Sequence, residues 1–133
     1  MGKTASLANI GSIADSSLGF RNRIINGGMV IDQRNAGASI TPTTSGTYTL
    51  DRFRFVIGAA SKLSVQQSTN APAGFSNSTV ITVASSYTPS STEQFFYGTT
   101  FEANNIGDFA FGTSSASSAA LSFWVKSSVT GTY

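Results

Sequence analysis

Alternating apolar and polar residues fill the chain from about residue 22 onward, in short runs separated by Gly, Pro, Asn and Ser. Alternation with a period of two is typical of strands with one buried face, and closely spaced short strands indicate an all-β sandwich. The predicted strands are 23–26 and 29–31 on either side of a turn at Gly27-Gly28, then 47–58, 62–67, 80–83, 93–102 and 119–127. The remaining segments read as a loop at 35–46 and a short helical turn or packed loop at 104–112.

The alternation also predicts which side chains share a face. In 47–58 the buried face carries Phe53, Phe55 and Ile57, and the solvated face carries Arg52 and Arg54. In 119–127 one face carries Leu121, Phe123 and Val125, and the other carries Ser122, Trp124 and Lys126. Consecutive Phe95 and Phe96 place a ring on each side of their strand, which favours oligomeric packing.

The first 20 residues differ from the rest. Apolar residues recur there at near-helical spacing, but Gly11 and several serines weaken an isolated helix. We therefore expect two parts, an irregular N-terminal arm at 1–20 and a sandwich at 21–133. The arm either lies on its own domain or orders against a partner, through Leu7, Ile10, Ile13 and Leu18.

The composition excludes most catalytic chemistry. The 133 residues include no His and no Cys, so the chain cannot form a Ser–His–Asp relay, a reactive thiolate or an ordinary zinc site. None of the six Asp and Glu residues is singled out as half of a glycosidase pair. We predict a protein that is not an enzyme and that has no cofactor, and no residues are singled out as metal ligands. Whether a structural calcium ion lies in the sandwich is left open by the sequence.

Charge argues against two classes of partner and suggests the kind of surface. Eight scattered Lys and Arg residues give a net charge of +2 without a basic run, so no nucleic-acid partner is expected. No apolar stretch is long enough for a membrane span. Charged residues make up only 11% of the chain, against roughly 25% in average soluble domains. Such polar, uncharged surfaces are common in proteins that assemble into particles.

Three strings carry a family resemblance: Asn22-Arg23-Ile24-Ile25-Asn26-Gly27-Gly28-Met29, Asp32-Gln33-Arg34-Asn35 and Tyr48-Thr49-Leu50-Asp51-Arg52-Phe53. Together with Ala110-Phe111-Gly112 and the segment 121–133, they resemble a family of phage tail-fibre-like structural proteins. The resemblance implies a virion protein of a tail fibre or tail-associated appendage that acts in host adsorption. It further implies a homotrimer that contacts other virion proteins, either a tail adaptor or the capsid. The alternative is a capsid decoration or head-fibre protein.

The same landmarks are similar to those of carbohydrate-binding jelly rolls, so a free carbohydrate-binding module is a third reading. Met29, Val30 and Phe53 depart from the residues usual in these families. The resemblance implies a jelly-roll sandwich and a host-surface glycan. The candidate glycan or interface surface consists of Trp124, Lys126, Arg52 and Arg54. The alternative for Trp124 is burial in the core or against a neighbouring subunit. The alternative for the two arginines is a solvated outer face without a ligand.

Chain length adds an expectation about completeness. In both families the strand equivalent to 121–126 is followed by roughly as much chain again. The sandwich is therefore expected to be truncated, with 1–20 as the virion-docking end.

Overall fold

The computed structural model describes residues 22–131, and the predicted arm with Leu7, Ile10, Ile13 and Leu18 lies outside this range. The described part is a β-rich domain with two antiparallel sheets and one short α-helix. Its elements are β1 (Thr47–Tyr48), β2 (Arg54–Ile57), β3 (Leu63–Ser68), β4 (Ser78–Val83), β5 (Phe95–Gly98) and α1 (Ala103–Ile106), followed by a 3₁₀ turn at Gly107–Phe109.

The two sheets differ in size. One sheet has the order β1-β2-β5, with Phe55 opposite Tyr97, and the other is the β3-β4 hairpin, with Val65 opposite Ile81. The outer edge of β3 is partly covered, because Ile40 and Val65 exchange two backbone hydrogen bonds of 2.9 and 2.8 Å.

Both sheets contribute to one hydrophobic core. Its buried cluster is Leu50, Phe55, Leu63 and Val65. The Tyr97 ring packs beside this cluster and stacks on Phe53 with 5.3 Å between ring centroids. Burial raises the pKa of the Tyr97 phenol, whose oxygen lies 3.0 Å from the hydroxyl of Thr79 in the other sheet. The predicted inward positions Phe53, Phe55, Leu63 and Val65 are confirmed as buried.

Two strand predictions near the N-terminus are wrong. The turn at residues 25–28 is present, but neither 23–26 nor 29–31 forms a strand. The side chain of Asn26 exchanges hydrogen bonds with both backbone groups of Ile31 (Asn26 Oδ1 accepts, Asn26 Nδ2 donates). Side-chain bonds of this kind replace the ladder bonds that a strand would need.

The predicted strand at 47–58 is interrupted. A tight turn separates β1 from β2, with the Phe53 N–H donating to the Leu50 carbonyl at 3.0 Å. Arg52 occupies the turn with φ of 72°, a left-handed conformation that is unfavourable for a residue with a Cβ. Arg52 therefore does not lie on the outer face of a strand as the alternation predicts, whereas Arg54 does lie in β2.

The predicted strand at 119–127 also fails to form. These residues lie in neither sheet and are exposed throughout. The loops at 35–46 and the helical turn within 104–112 are confirmed, and the strands at 62–67, 80–83 and 93–102 are confirmed with shifted ends.

Candidate functional site

The three strings singled out in the sequence analysis are joined to one another by hydrogen bonds of their own side chains. Asn26 Nδ2 donates to the carbonyl oxygens of Ile31 and Asp51, at 2.8 and 2.9 Å. The Asp51 carboxylate in turn accepts a hydrogen bond from the backbone N–H of Gln33. Hydrogen bonds therefore join the first and second strings to the third, and both bonds hold the turn that carries Arg52 in place.

The second string also organises its own loop. The Asp32 carboxylate accepts from the backbone N–H groups of Asn35 and Gly37, at 3.3 and 2.8 Å. Asn35 Nδ2 donates to the Thr49 carbonyl at 2.6 Å, beside the start of the Arg52 turn. This arrangement positions Arg34, which lies between Asp32 and Asn35.

Two further contacts join this loop network to the rest of the domain. Gln67 of β3 donates through Nε2 to the carbonyl oxygens of Met29 and Val30, at 2.6 and 3.0 Å. Arg23 forms an ion pair with Asp108 and donates to the Asn105 carbonyl at 2.7 Å. The first string is thereby attached to a β-strand on one side and to the α1 region on the other.

An open cleft of about 290 Å³ adjoins this network, which contributes Arg34 and Asp51 to its lining. Its lining residues are Arg34, Tyr48, Asp51, Arg52, Thr100, Phe101 and Glu102. The Tyr48 and Phe101 rings are 46% and 43% exposed, so each keeps surface available to a ligand.

The charges in the cleft are paired but accessible. The Arg34 guanidinium lies 5.0 Å from the centroid of the Tyr48 ring, within cation–π range. Arg52 Nη1 lies 3.1 Å from Glu102 Oε1, and both side chains remain substantially exposed. Two guanidinium groups and two carboxylates therefore surround the rings, which gives the cleft hydrogen-bond donors and acceptors with no formal excess of charge.

Such a lining can bind a ligand that has both an apolar face and hydroxyl groups. Exposed rings accept an apolar ligand face, while fixed carboxylates and guanidinium groups accept and donate hydrogen bonds to hydroxyls. In the range 22–131 no three Asp or Glu residues come together as a metal site. Within the same range, no helix is long and apolar enough to cross a membrane.

The structure separates the four predicted surface residues. Arg52 lines the cleft, and Arg54 lies in β2 opposite Tyr48 and Gly98 without lining it. Trp124 and Lys126 lie in the segment 119–127, and within the described residues no contact joins them to either arginine. Trp124 is 75% exposed, so the alternative that it is buried in the core of its own domain is wrong.

Sequence reasoning missed most of the cleft. Arg34, Tyr48 and Asp51 stand inside the strings that carry the resemblance, and that placement was the available signal. Phe101 and Glu102 carry no such signal, because they reach the cleft only through the path of the chain after β5.

A second feature is the segment 119–126, which has no secondary structure. Its four large apolar side chains, Leu121, Phe123, Trp124 and Val125, are 72%, 76%, 75% and 69% exposed. No backbone hydrogen bond joins residues 119–126 to any other part of the described chain. A continuous apolar segment of this kind is unusual on the surface of a monomer.

Comparison of the chain with known protein families, with curated proteins and with solved structures finds no match.

Proposed function

We propose that this protein is a non-enzymatic structural and binding domain of a phage virion appendage, with a tail fibre as its location, and that its cleft binds a host-surface glycan. One observation carries the proposal. The strings that resemble phage fibre proteins converge through Asn26, Asp32, Asn35 and Asp51 on a single scaffold, and that scaffold supports the cleft.

The chemistry of the cleft supports a neutral, hydroxyl-rich ligand. Tyr48 and Phe101 offer faces for the C–H surface of a pyranose, and Asp51 and Arg34 offer hydrogen-bond partners for its hydroxyls. Since positive and negative groups balance, neither a polyanion nor a polycation is favoured. A chain with no His and no Cys has no imidazole or thiol group for acid–base or nucleophilic catalysis, which favours binding over turnover.

The proposal extends to architecture and assembly. The two sheets are taken to belong to a sandwich of jelly-roll type, and the appendage is taken to be a homotrimer joined to a tail adaptor. Support comes from the resemblance and from the apolar surface that the domain leaves exposed.

The first test is binding by the isolated protein. On an array of host-surface glycans, we expect Tyr48→Ala and Phe101→Ala to weaken binding at least about tenfold, or about 1.4 kcal/mol each. Phe111→Ala is the matched control, because Phe111 is also an exposed aromatic residue but does not line the cleft. Equal loss in the control, or binding that survives both cleft variants, would contradict the assignment of the cleft.

The second test is location. Immunogold electron microscopy of intact virions is expected to place label on the tail. Label over the capsid would support a decoration or head-fibre protein instead.

A further inference from the structure

The segment 119–126 has the sequence pattern of a strand but forms no strand among the described residues. Its residues alternate so that Leu121, Phe123 and Val125 share one face, and Lys126 is its only charge. In water its backbone groups are solvated, but its large apolar side chains are exposed at a cost of roughly 25 cal/mol per Å². Pairing with a free strand edge would satisfy both the backbone and the side chains.

The domain also presents a free strand edge. β4 pairs with β3 on one side, and within the described residues no strand or bridge lies on its other side. The opposite edge of the hairpin is different, because Ile40 covers β3 at Val65. β4 has six residues, none charged, and its Val80, Ile81 and Val83 are 41%, 43% and 66% exposed. Natural edge strands usually carry charges, prolines or bulges that prevent pairing. β4 has no charged residue and no proline.

We propose that residues 119–126 of one copy add as a strand to the outer edge of β4 in a second copy of this chain. The start of the segment is fixed on its own copy, since the Ser117 N–H donates to the Phe109 carbonyl at 2.9 Å and the Phe109 ring lies under Arg23. From that point the eight residues span about 26 Å when extended, enough to cross to a neighbouring molecule.

The surface area that the added strand would bury is that of a stable protein–protein interface. Buried aromatic residues each remove about 150–250 Å² from water, so Phe123 and Trp124 together supply several hundred Å². Leu121, Val125 and the covered side of β4 add a comparable area. Two such additions, of which a cyclic homotrimer makes three, then bury on the order of 1,200–2,000 Å², the range of specific protein–protein interfaces.

This exchange does not depend on glycan binding. It uses β4 and 119–126, whereas the cleft uses Tyr48, Phe101 and their neighbours. Failure of the exchange therefore leaves the glycan-binding proposal intact, and failure of glycan binding leaves the exchange intact, since each has its own variants.

The oligomeric state of the whole chain tests the exchange. Sedimentation velocity over a concentration series is expected to show reversible association. Phe123→Lys and Val83→Lys should each raise the dissociation constant at least about tenfold. Phe111→Lys, a 56% exposed aromatic residue outside both surfaces, should leave it unchanged. Phe96→Lys tests the β5 edge, and loss of association there but not in Val83→Lys would overturn the choice of β4.

The single tryptophan provides a second readout. Trp124 is the only tryptophan, so its emission should shift to the blue as protein concentration rises, and the shift should be absent in Val83→Lys. A chain that stays monomeric at every concentration would overturn the proposal.

Cross-linking decides between a second copy and the same copy. The chain has no cysteine, so Thr82→Cys and Ser122→Cys can be made singly and mixed before treatment with a short bismaleimide. We expect a covalent heterodimer that exceeds the homodimer from either variant alone. A double variant that cross-links only within one monomer would show that the segment folds back on its own β4, and the proposal would be wrong.

Discussion

The side-chain amide of Asn26 donates a hydrogen bond to the carbonyl oxygen of Asp51, 2.9 Å away and 25 residues later in the chain. This bond joins the first turn of the domain to the turn that carries Arg52. Asn26 itself has φ of 59°, a left-handed conformation that asparagine tolerates better than most residues.

Replacement of Asn26 should therefore destabilise the fold. In Asn26→Ala three side-chain hydrogen bonds are lost and a less tolerant residue is left at positive φ, so we expect a loss of about 2–3 kcal/mol in the free energy of unfolding. Urea denaturation measures it. Asn70→Ala is the control, because the described contacts of Asn70 are made by its backbone. Equal stability of the two variants would mean that the network is dispensable.

Gly58 is required by a close approach of two backbones. A Cβ at this position would lie 2.8 Å from the nitrogen of Gln94 and 2.9 Å from the Cα of Glu93. Gly58→Ala should cost about 1–3 kcal/mol, because the segment before β5 would have to move. Gly98→Ala, in β5, meets no atom within 4 Å and should be nearly neutral in the same denaturation experiment.

Arg52 is expected to trade stability for binding. Its φ of 72° suits glycine, and its ion pair with Glu102 is exposed and therefore weak. Arg52→Gly should raise the free energy of unfolding by about 0.5–1 kcal/mol while weakening glycan binding. Arg34→Gly, also in the cleft but at negative φ, should weaken binding without the gain in stability. A destabilised Arg52→Gly would contradict the strain argument.

The loop between β4 and β5 should be sensitive to acid. Hydrogen bonds to the Glu93 carboxylate, from the Tyr87 hydroxyl at 2.6 Å first and then from the Ser90 N–H, lower the pKa of Glu93. The same carboxylate raises the pKa of Tyr87. The stabilisation is thus present above the unfolded pKa of Glu93, near 4.3, and is lost as pH falls through the lower folded value. At the other limit it is lost as pH rises through the raised pKa of Tyr87.

Thermal melts at a series of pH values check this linkage. Tyr87→Phe should lower the melting temperature at neutral pH, and the difference from the parent protein should shrink as the medium becomes strongly acidic. Glu93→Gln should have a lower melting temperature than the parent protein at neutral pH, and that melting temperature should change little over the same acidic range. A pH-independent difference between Tyr87→Phe and the parent would mean that the Glu93 charge contributes nothing.

Local alternation predicted the parts of the fold that depend on neighbouring residues. β3 and β4 form a hairpin, and the inward positions Leu63 and Val65 follow from the period of two alone. The equally regular pattern at 47–58 failed, because Asp51 bonds to Gln33, 18 residues earlier, and holds a turn there. No local window contains that contact.

For the candidate site, the sequence by itself determined the materials: no His or Cys, few charges, and signature strings that contain Asn26, Arg34, Tyr48 and Asp51. Those facts remove imidazole and thiol chemistry and name part of the scaffold. Only the tertiary structure decided that Phe101 and Glu102 complete the cleft and that Trp124 does not line it with Arg52. The physical reason is that alternation within a segment indicates only which side chains share a face. Whether the segment forms a strand, and which residues line a cleft, depends on the other segments that pack beside it.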